Sequence, residues 1–116
     1  MQSINKQGNN GVLMMTLYAV YRLDRTDGLA TEIRTKTRND HRAYMAQFSG
    51  RVHCGGPLLN KNGEGCGGLM LIEAESHSEV ENIVNNDPFE KAGLSERIDI
   101  LPFRWQTNRP EGFPPL

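Results

Sequence analysis

The sequence has few cysteines and no long apolar run, and its charges nearly cancel. Two cysteines, Cys54 and Cys66, are too few for a disulfide scaffold and fit a reducing compartment, so we expect free thiols. No run approaches the roughly 18 to 20 apolar residues that span a bilayer, and residues 1–10 lack the apolar core of a signal peptide. A formal net charge of -1 provides no single-sign field to attract nucleic acid or a lipid surface. We therefore predict a cytoplasmic protein that binds neither nucleic acid nor membrane.

What is present fits one small globular domain. The 116 residues are 37% hydrophobic, and the 12 glycines bring the apolar share close to that of ordinary globular proteins. Residues 1–14 are rich in Asn, Gln and Gly without periodicity, which predicts a flexible N-terminal extension. The domain itself is expected over residues 15–104, followed by an extended C-terminal tail over residues 105–116.

The order of local sequence patterns predicts the α+β arrangement β-α-β-β-α-β. Thr16 to Leu23 is β-branched and aromatic, with apolar residues on both alternating faces, as in a strand covered on two sides. The dipeptide Asn62-Gly63 favours the positive φ angles of a tight turn and predicts a hairpin between the second and third strands. Strands are expected at residues 16–23, 51–57, 67–74 and 98–103.

Capping signals define the helices. The first helix is expected over residues 37–48, with Gly50 as the residue that closes it. The second begins at a capping box that starts with Ser76. It must stop near Asp87, because Pro88 disfavours helical backbone in the residue before it. Pro88 then opens a short further turn of helix.

Two helices on one face of a four-stranded sheet leave the other face uncovered. In the third strand Leu69 and Leu71 alternate with Met70 and Ile72, so neither face has the polarity of one that meets water. A second copy of the same sheet is the simplest cover, since closed two-fold homodimers are the most common soluble oligomers. We predict a homodimer.

Two ionisable residues interrupt the inward stripes of the helices. His41 shares the stripe of the first helix with Tyr44, Met45 and Phe48, and Asp87 takes the equivalent place in the second helix. A buried carboxylate needs a partner, and imidazole is the side chain that ionises closest to neutral pH. The pattern suggests that His41 removes a proton from a ligand while Asp87 fixes the tautomer and orientation of the imidazole.

Structural roles explain the same residues. Asp87 immediately before Pro88 fits the N-cap of the short helix equally well. A histidine on a helical stripe is more often a hydrogen-bonded core residue than a catalyst. Arg34 and Arg38 lie one helical turn apart, and they fit either solvated positions or contacts to an anionic substrate group.

Signals for a metal or a cofactor are weak. His53 and Cys54 are neighbours on a strand and point to opposite faces, and the spacing from Cys54 to Cys66 is not a zinc motif. The glycines of residues 63–68 lack the Lys and the Ser or Thr of a phosphate-binding loop. We predict no structural metal and no cofactor.

Four segments, in this order and spacing, resemble the YCII-related family: Arg38-x-x-His41-x-x-Tyr44, Gly55-Gly56-Pro57-Leu58-Leu59, Leu71-Ile72-Glu73-Ala74-Glu75 and Asp87-Pro88-Phe89-x-Lys91-Ala92-Gly93-Leu94. The resemblance runs over residues 17–103. It implies a dimeric α+β barrel of ferredoxin-like topology and a site with a His and an Asp that match His41 and Asp87. Candidate substrate-binding residues among these motifs are Arg38, Tyr44, Gly56, Pro57 and Phe89.

One branch of that family resembles dehydrochlorinases that act on chlorinated hydroxyquinols. Such members carry a Ser after Gly at the start of the third strand, where this chain has Gly67-Gly68 and no hydroxyl. This departure argues against a dehydrochlorinase in particular, and the resemblance does not extend to the substrate.

Two functions fit these observations. The first is a small cofactor-independent enzyme of lyase or hydrolase type, acting on a cyclic or aromatic compound, with His41 as general base and Asp87 orienting it. The second is a non-catalytic dimeric module that binds a small molecule or a protein, with the same two residues as a structural pair. Side chains more than about 6 Å apart with no shared cavity would exclude the first.

Overall fold

The computed structural model describes residues 15–113. Its elements are β1 (Thr16–Asp24), α1 (Ala30–Ala46), β2 (Val52–Leu59), β3 (Gly65–Ala74), α2 (His77–Asn85), α3 (Pro88–Lys91) and β4 (Ser95–Pro102). The strands form one antiparallel sheet in the order β2-β3-β1-β4, which is the ferredoxin-like arrangement and confirms the predicted fold class. The extension predicted at residues 1–14 lies outside the described residues.

The first helix differs from its prediction at both ends. It begins at Ala30 rather than at residue 37, and its N-cap, Leu29, makes no side-chain capping bond that a sequence signal could reveal. It ends at Ala46, after which the chain unwinds through turns whose amides bond carbonyls three or four residues back. Because these turns need no left-handed residue, Gly50 does not adopt a positive φ, and its predicted role as the closing residue is wrong.

The other capping predictions are confirmed. The Ser76 hydroxyl accepts a hydrogen bond from the Glu79 backbone N–H at 3.1 Å and starts α2. The Asp87 carboxylate accepts one from the Phe89 N–H at 2.9 Å and starts α3. Gly63 has a φ of 82° in the β2–β3 hairpin, as the turn requires.

The core lies between α2 and the sheet. Val80, Ile83 and Val84 of α2 pack on Val20 and Ile72, and all five side chains are buried. Helix α1 has no buried residue, and only its C-terminal half packs against this core, through partly buried side chains. The N-terminal half of α1 therefore stands away from the sheet, and this leaves room for a cleft.

The sheet face opposite the helices is apolar and exposed. Tyr21, Leu69, Leu101 and Phe103 lie on this face with 38% to 64% of their surface accessible. Part of the predicted tail crosses one side of the same face, where the Phe113 ring lies 4.8 Å from that of His53. Most of the face remains uncovered within one chain.

A side chain cannot be added at Gly67 without moving the backbone. A Cβ there would lie 2.3 Å from the Arg22 carbonyl oxygen of the neighbouring strand, whereas a Cβ at Gly68 would meet nothing closer than 3.9 Å. We expect Gly67→Ala to lower the free energy of unfolding by about 2 to 3 kcal/mol, and Gly68→Ala to change it by less than about 1 kcal/mol. Chemical denaturation measures both values, and equal losses would contradict the clash.

Candidate functional site

A cleft of about 580 Å³ lies between α1, α3 and the β2–β3 side of the sheet. Part of the wall formed by the sheet consists of glycines, which are Gly55, Gly56, Gly65, Gly67 and Gly68. Successive residues of a strand point to opposite faces, so the glycines that face the cleft leave bare backbone where larger residues would fill the space. The cleft is therefore a consequence of the glycine content of β2 and β3 and of the position of α1.

The helical wall of the cleft is cationic. Arg34, Arg38, His41, Arg42 and Met45 line it, and their spacing places them along one side of α1. The side chain of Phe89, from α3, closes the inner end, and its ring stacks on the His41 imidazole with centroids 4.0 Å apart. An aromatic surface and a histidine thus share one end of the cleft.

His41 is hydrogen-bonded to Asp87. Its Nδ1 lies 2.8 Å from Oδ1 and 2.9 Å from Oδ2 of the carboxylate. Asp87 is completely buried, whereas 26% of the His41 side chain is accessible and borders the cleft. The carboxylate therefore lies behind the imidazole, and only the imidazole can meet a ligand.

Further donors keep Asp87 ionised. Burial alone would raise the pKa of this carboxyl group, but the hydrogen bonds from His41 and the Phe89 N–H and the charge of Arg22 outweigh it, and the pKa lies below its ordinary value. An ionised carboxylate only accepts hydrogen bonds, so His41 Nδ1 carries a hydrogen. The opposite nitrogen, Nε2, makes no hydrogen bond to the residues that the structure describes.

Two arginines that bind three carboxylates support this arrangement. The Arg22 Nη1 donates to Asp87 Oδ2 and to Glu90 Oε2, both at 2.9 Å, and the Ser95 hydroxyl donates to Glu90 at 2.7 Å. Arg34 makes two hydrogen bonds to Asp24 at 2.7 and 2.8 Å. These groups hold β1, α1 and α3 together around the cleft.

The sequence prediction missed Arg22 and Asp24, although a signal was present. On β1 they continue the alternation of Tyr18 and Val20, which point toward the core. Two charged residues at inward positions of a strand indicate that the core is polar at that end of the strand. In this structure the cleft lies there.

The structure brings most of the predicted site residues together. Arg38, Gly56, Pro57 and Phe89 line the cleft beside His41. Asp87 serves as both N-cap of α3 and partner of His41, so the two roles weighed for it coexist.

Tyr44 is the exception. Its hydroxyl donates to the Ile83 carbonyl at 2.6 Å, its ring packs edge-on against Phe48, and it does not line the cleft. Burial raises the pKa of this hydroxyl, and the charge of Asp87 adds to the effect. Tyr44 was predicted to bind substrate, and the structure corrects this prediction. Its side chain turns toward the core and connects α1 to α2.

Neither a metal cluster nor a membrane-spanning helix is found in the part of the chain that the structure describes. Over residues 15–113, no three His, Cys, Asp or Glu side chains are grouped so that they could hold a metal ion. No helix in the same range is both long and apolar enough to cross a bilayer.

Comparison with known proteins agrees with this fold. The model of the YCII-related domain matches residues 16–104. Protein YciI from Escherichia coli O6:H1 is 26% identical over 94 residues, which cover 76% of this chain and 96% of that protein.

Two solved structures are similar to this one. The 5-chloro-2-hydroxyhydroquinone dehydrochlorinase TftG from Burkholderia phenoliruptrix AC1100, in complex with 2,5-dihydroxybenzoquinone, is 34% identical with a TM-score of 0.67. The match covers 78% of this chain and 93% of TftG. A NIPSNAP family protein from Agrobacterium tumefaciens shares the fold at 13% identity and a TM-score of 0.52, over 84% of this chain and 99% of that protein.

The domain match over most of the sequence, together with the identity to TftG, shows that this chain belongs to the YCII-related domain family.

Proposed function

We propose that this protein is a cofactor-independent enzyme that acts on a small hydroxylated cyclic or aromatic compound, with His41 as its general base. The observation that carries the proposal is the pairing of His41 Nδ1 with the fully buried Asp87 at 2.8 Å, at the edge of a cleft. A buried carboxylate that fixes the imidazole tautomer leaves Nε2 free to accept a proton.

The chemistry follows from what such a base can do. Nε2 of His41 takes the proton of a ring hydroxyl, and the electron pair that remains on oxygen moves into the ring. The protonated Nε2 returns the proton to the ring carbon that bears the leaving group, which becomes tetrahedral. A second ring hydroxyl then loses its proton, its electron pair forms a carbonyl, and the leaving group departs from the tetrahedral carbon with its bonding pair. The overall loss of HX needs no oxidant or reductant, and Asp87 stabilises the imidazolium that forms.

The similarity to TftG supports a hydroxylated ring as the substrate of this chain, but it does not identify the leaving group. TftG is a dehydrochlorinase of a chlorinated hydroxyhydroquinone, and it is 34% identical to this chain. Dehydrochlorinase-like members are expected to have a Ser where this chain has the second glycine of Gly67-Gly68. We therefore assign this chain a hydroxylated ring as substrate and do not restrict the leaving group to chloride.

A substrate screen tests the proposal. Hydroquinones and hydroxyhydroquinones with and without a halogen are incubated with the protein, and ultraviolet-visible spectra and released halide are followed. We expect protein-dependent conversion of at least one ring compound, at a rate proportional to protein concentration. Compounds that bind in the cleft but are never converted would instead assign the protein to the non-catalytic binding modules.

We further propose that the protein is a homodimer that pairs through the exposed sheet face. Tyr21, Leu69 and Leu101 form an apolar surface there that one chain leaves open to water. Exposed patches of this kind are typical of association surfaces, and a two-fold interface lets the same patch cover itself.

Charge placed on this face should separate the two chains. We expect Leu101→Glu to convert a dimer into a monomer in light scattering coupled to gel filtration, because the carboxylate would be buried against its own copy. Leu29→Glu is the matched control, since Leu29 is also exposed but lies at the start of α1 and not on the sheet. A monomeric parent, or a Leu101→Glu variant that stays dimeric, would contradict the proposed interface.

A further inference from the structure

Three arginines form a row along the cleft side of α1, and among residues 15–113 only the first has a carboxylate partner. Arg34, Arg38 and Arg42 follow one another at intervals of four residues and all line the cleft. Arg34 is held by both oxygens of Asp24 and also donates to the Gly67 carbonyl at 3.1 Å. Within residues 15–113, Arg38 and Arg42 have no acidic side chain within ion-pair distance.

The acidic groups of the cleft are already occupied. Asp24 pairs with Arg34, while Asp87 and Glu90 share Arg22. The cleft therefore holds two cations that no carboxylate of the described chain balances. Arg38, His41 and Arg42 all line this cleft within little more than one turn of α1, so an anion bound by the two arginines would lie near the imidazole.

The remaining walls suit a flat ring. The sheet side combines glycine backbone with apolar side chains such as Val20 and Met70, and Pro57 and Phe89 add apolar surface. The stacking of Phe89 on His41 shows that planar groups pack at this end of the cleft. A planar ring that lies against the glycine wall can direct one substituent to His41 and another toward α1.

We propose that the substrate of this enzyme is a small aromatic or quinonoid acid whose anionic group is bound by Arg38 and Arg42. The inference rests on the proposed function, because it names the substrate class of the same cleft. Arg42 is the new element, and it acts with Arg38 as a specificity-determining pair. Two guanidinium groups one helical turn apart give charge-assisted hydrogen bonds that an uncharged substituent cannot match.

A matched pair of probes tests the charge requirement. Binding of 2,5-dihydroxybenzoate and of its neutral amide, 2,5-dihydroxybenzamide, is measured by titration calorimetry at low salt. The two probes have the same ring and hydroxyls and differ in charge. We expect the parent protein to bind the carboxylate about tenfold more tightly than the amide.

Binding of the same two probes to arginine variants tests whether Arg38 and Arg42 cause the preference for the carboxylate. In Arg38→Gln/Arg42→Gln the preference should fall to about twofold or less, and Arg42→Gln alone should lose about half of it on a logarithmic scale. Lys36→Gln is the control, because it removes one positive charge from the exposed side of the same helix, where Lys36 pairs with Glu32. It should keep the full preference.

Several results would overturn the inference. They are equal affinity of the parent for both probes, no binding of either at about 5 mM, or an equal loss of preference in Lys36→Gln. Failure here is distinct from failure of the proposed enzyme. If the two probes bind equally but uncharged hydroquinones are converted, the proposed enzyme stands and the role of Arg38 and Arg42 is wrong. If the carboxylate is preferred but no ring compound is converted, the role of the two arginines stands and the proposed enzyme is wrong.

Discussion

Replacing His41 with Gln is expected to lower kcat/KM for the ring substrate by about 10² to 10⁴-fold, which is the usual contribution of a general base. Gln retains an N–H that can donate to Asp87, so the buried carboxylate keeps a partner. It has no basic nitrogen, however, and the proton of the substrate hydroxyl has no acceptor. The rate loss should therefore come with little loss of stability.

His77→Gln is the matched control for this variant. His77 is an exposed histidine at the start of α2 and does not line the main cleft, so its removal should leave the rate unchanged. Steady-state kinetics and thermal unfolding are measured on the parent and both variants. Unchanged turnover in His41→Gln would remove His41 as the base, and a large stability loss with intact turnover would make the His41–Asp87 pair structural.

The fold could be predicted from local signals that act over a few residues. The capping box at Ser76, the Asn62-Gly63 turn and the Asp87-Pro88 helix start each depend on neighbours in sequence, and all three form as predicted. The start of α1 depends on no such signal. Its N-cap is Leu29, and the helix extends to Ala30 without a side chain that marks the boundary.

The candidate site could be predicted only in part, because helix orientation is a tertiary property. Periodicity placed His41 and Tyr44 on one stripe, but only the C-terminal half of α1 touches the core, whereas the cleft runs along the helix from Arg34 to Met45. His41 lies at the edge between the two, while Tyr44 turns to α2. The stripe through Arg38 and Arg42, which the apolar pattern does not reveal, becomes the wall of the cleft.

Removing the Asp87 side chain is expected to have the largest effect on stability. Asp87→Ala deletes a fully buried carboxylate that accepts from His41, Arg22 and the Phe89 N–H, and it leaves each donor with one acceptor fewer. Breaking a buried ion pair and an N-cap together should lower the free energy of unfolding by about 3 to 5 kcal/mol. Asp87→Asn can still cap α3, so its loss should be smaller.

The same carboxylate predicts how stability changes with pH. Its pKa is lower in the folded protein than in the unfolded chain, so it stabilises the fold above the unfolded value of about 3.9, and this contribution is lost as pH falls through the folded value. Between pH of about 5 and 2 the free energy of unfolding of the parent should therefore fall more steeply than that of Asp87→Asn, which has no carboxyl group to protonate at this position. Denaturant titrations at a series of pH values measure both slopes. Parallel slopes would mean that Asp87 is not held ionised by His41 and Arg22, and the buried base partner required by the proposed mechanism would be absent.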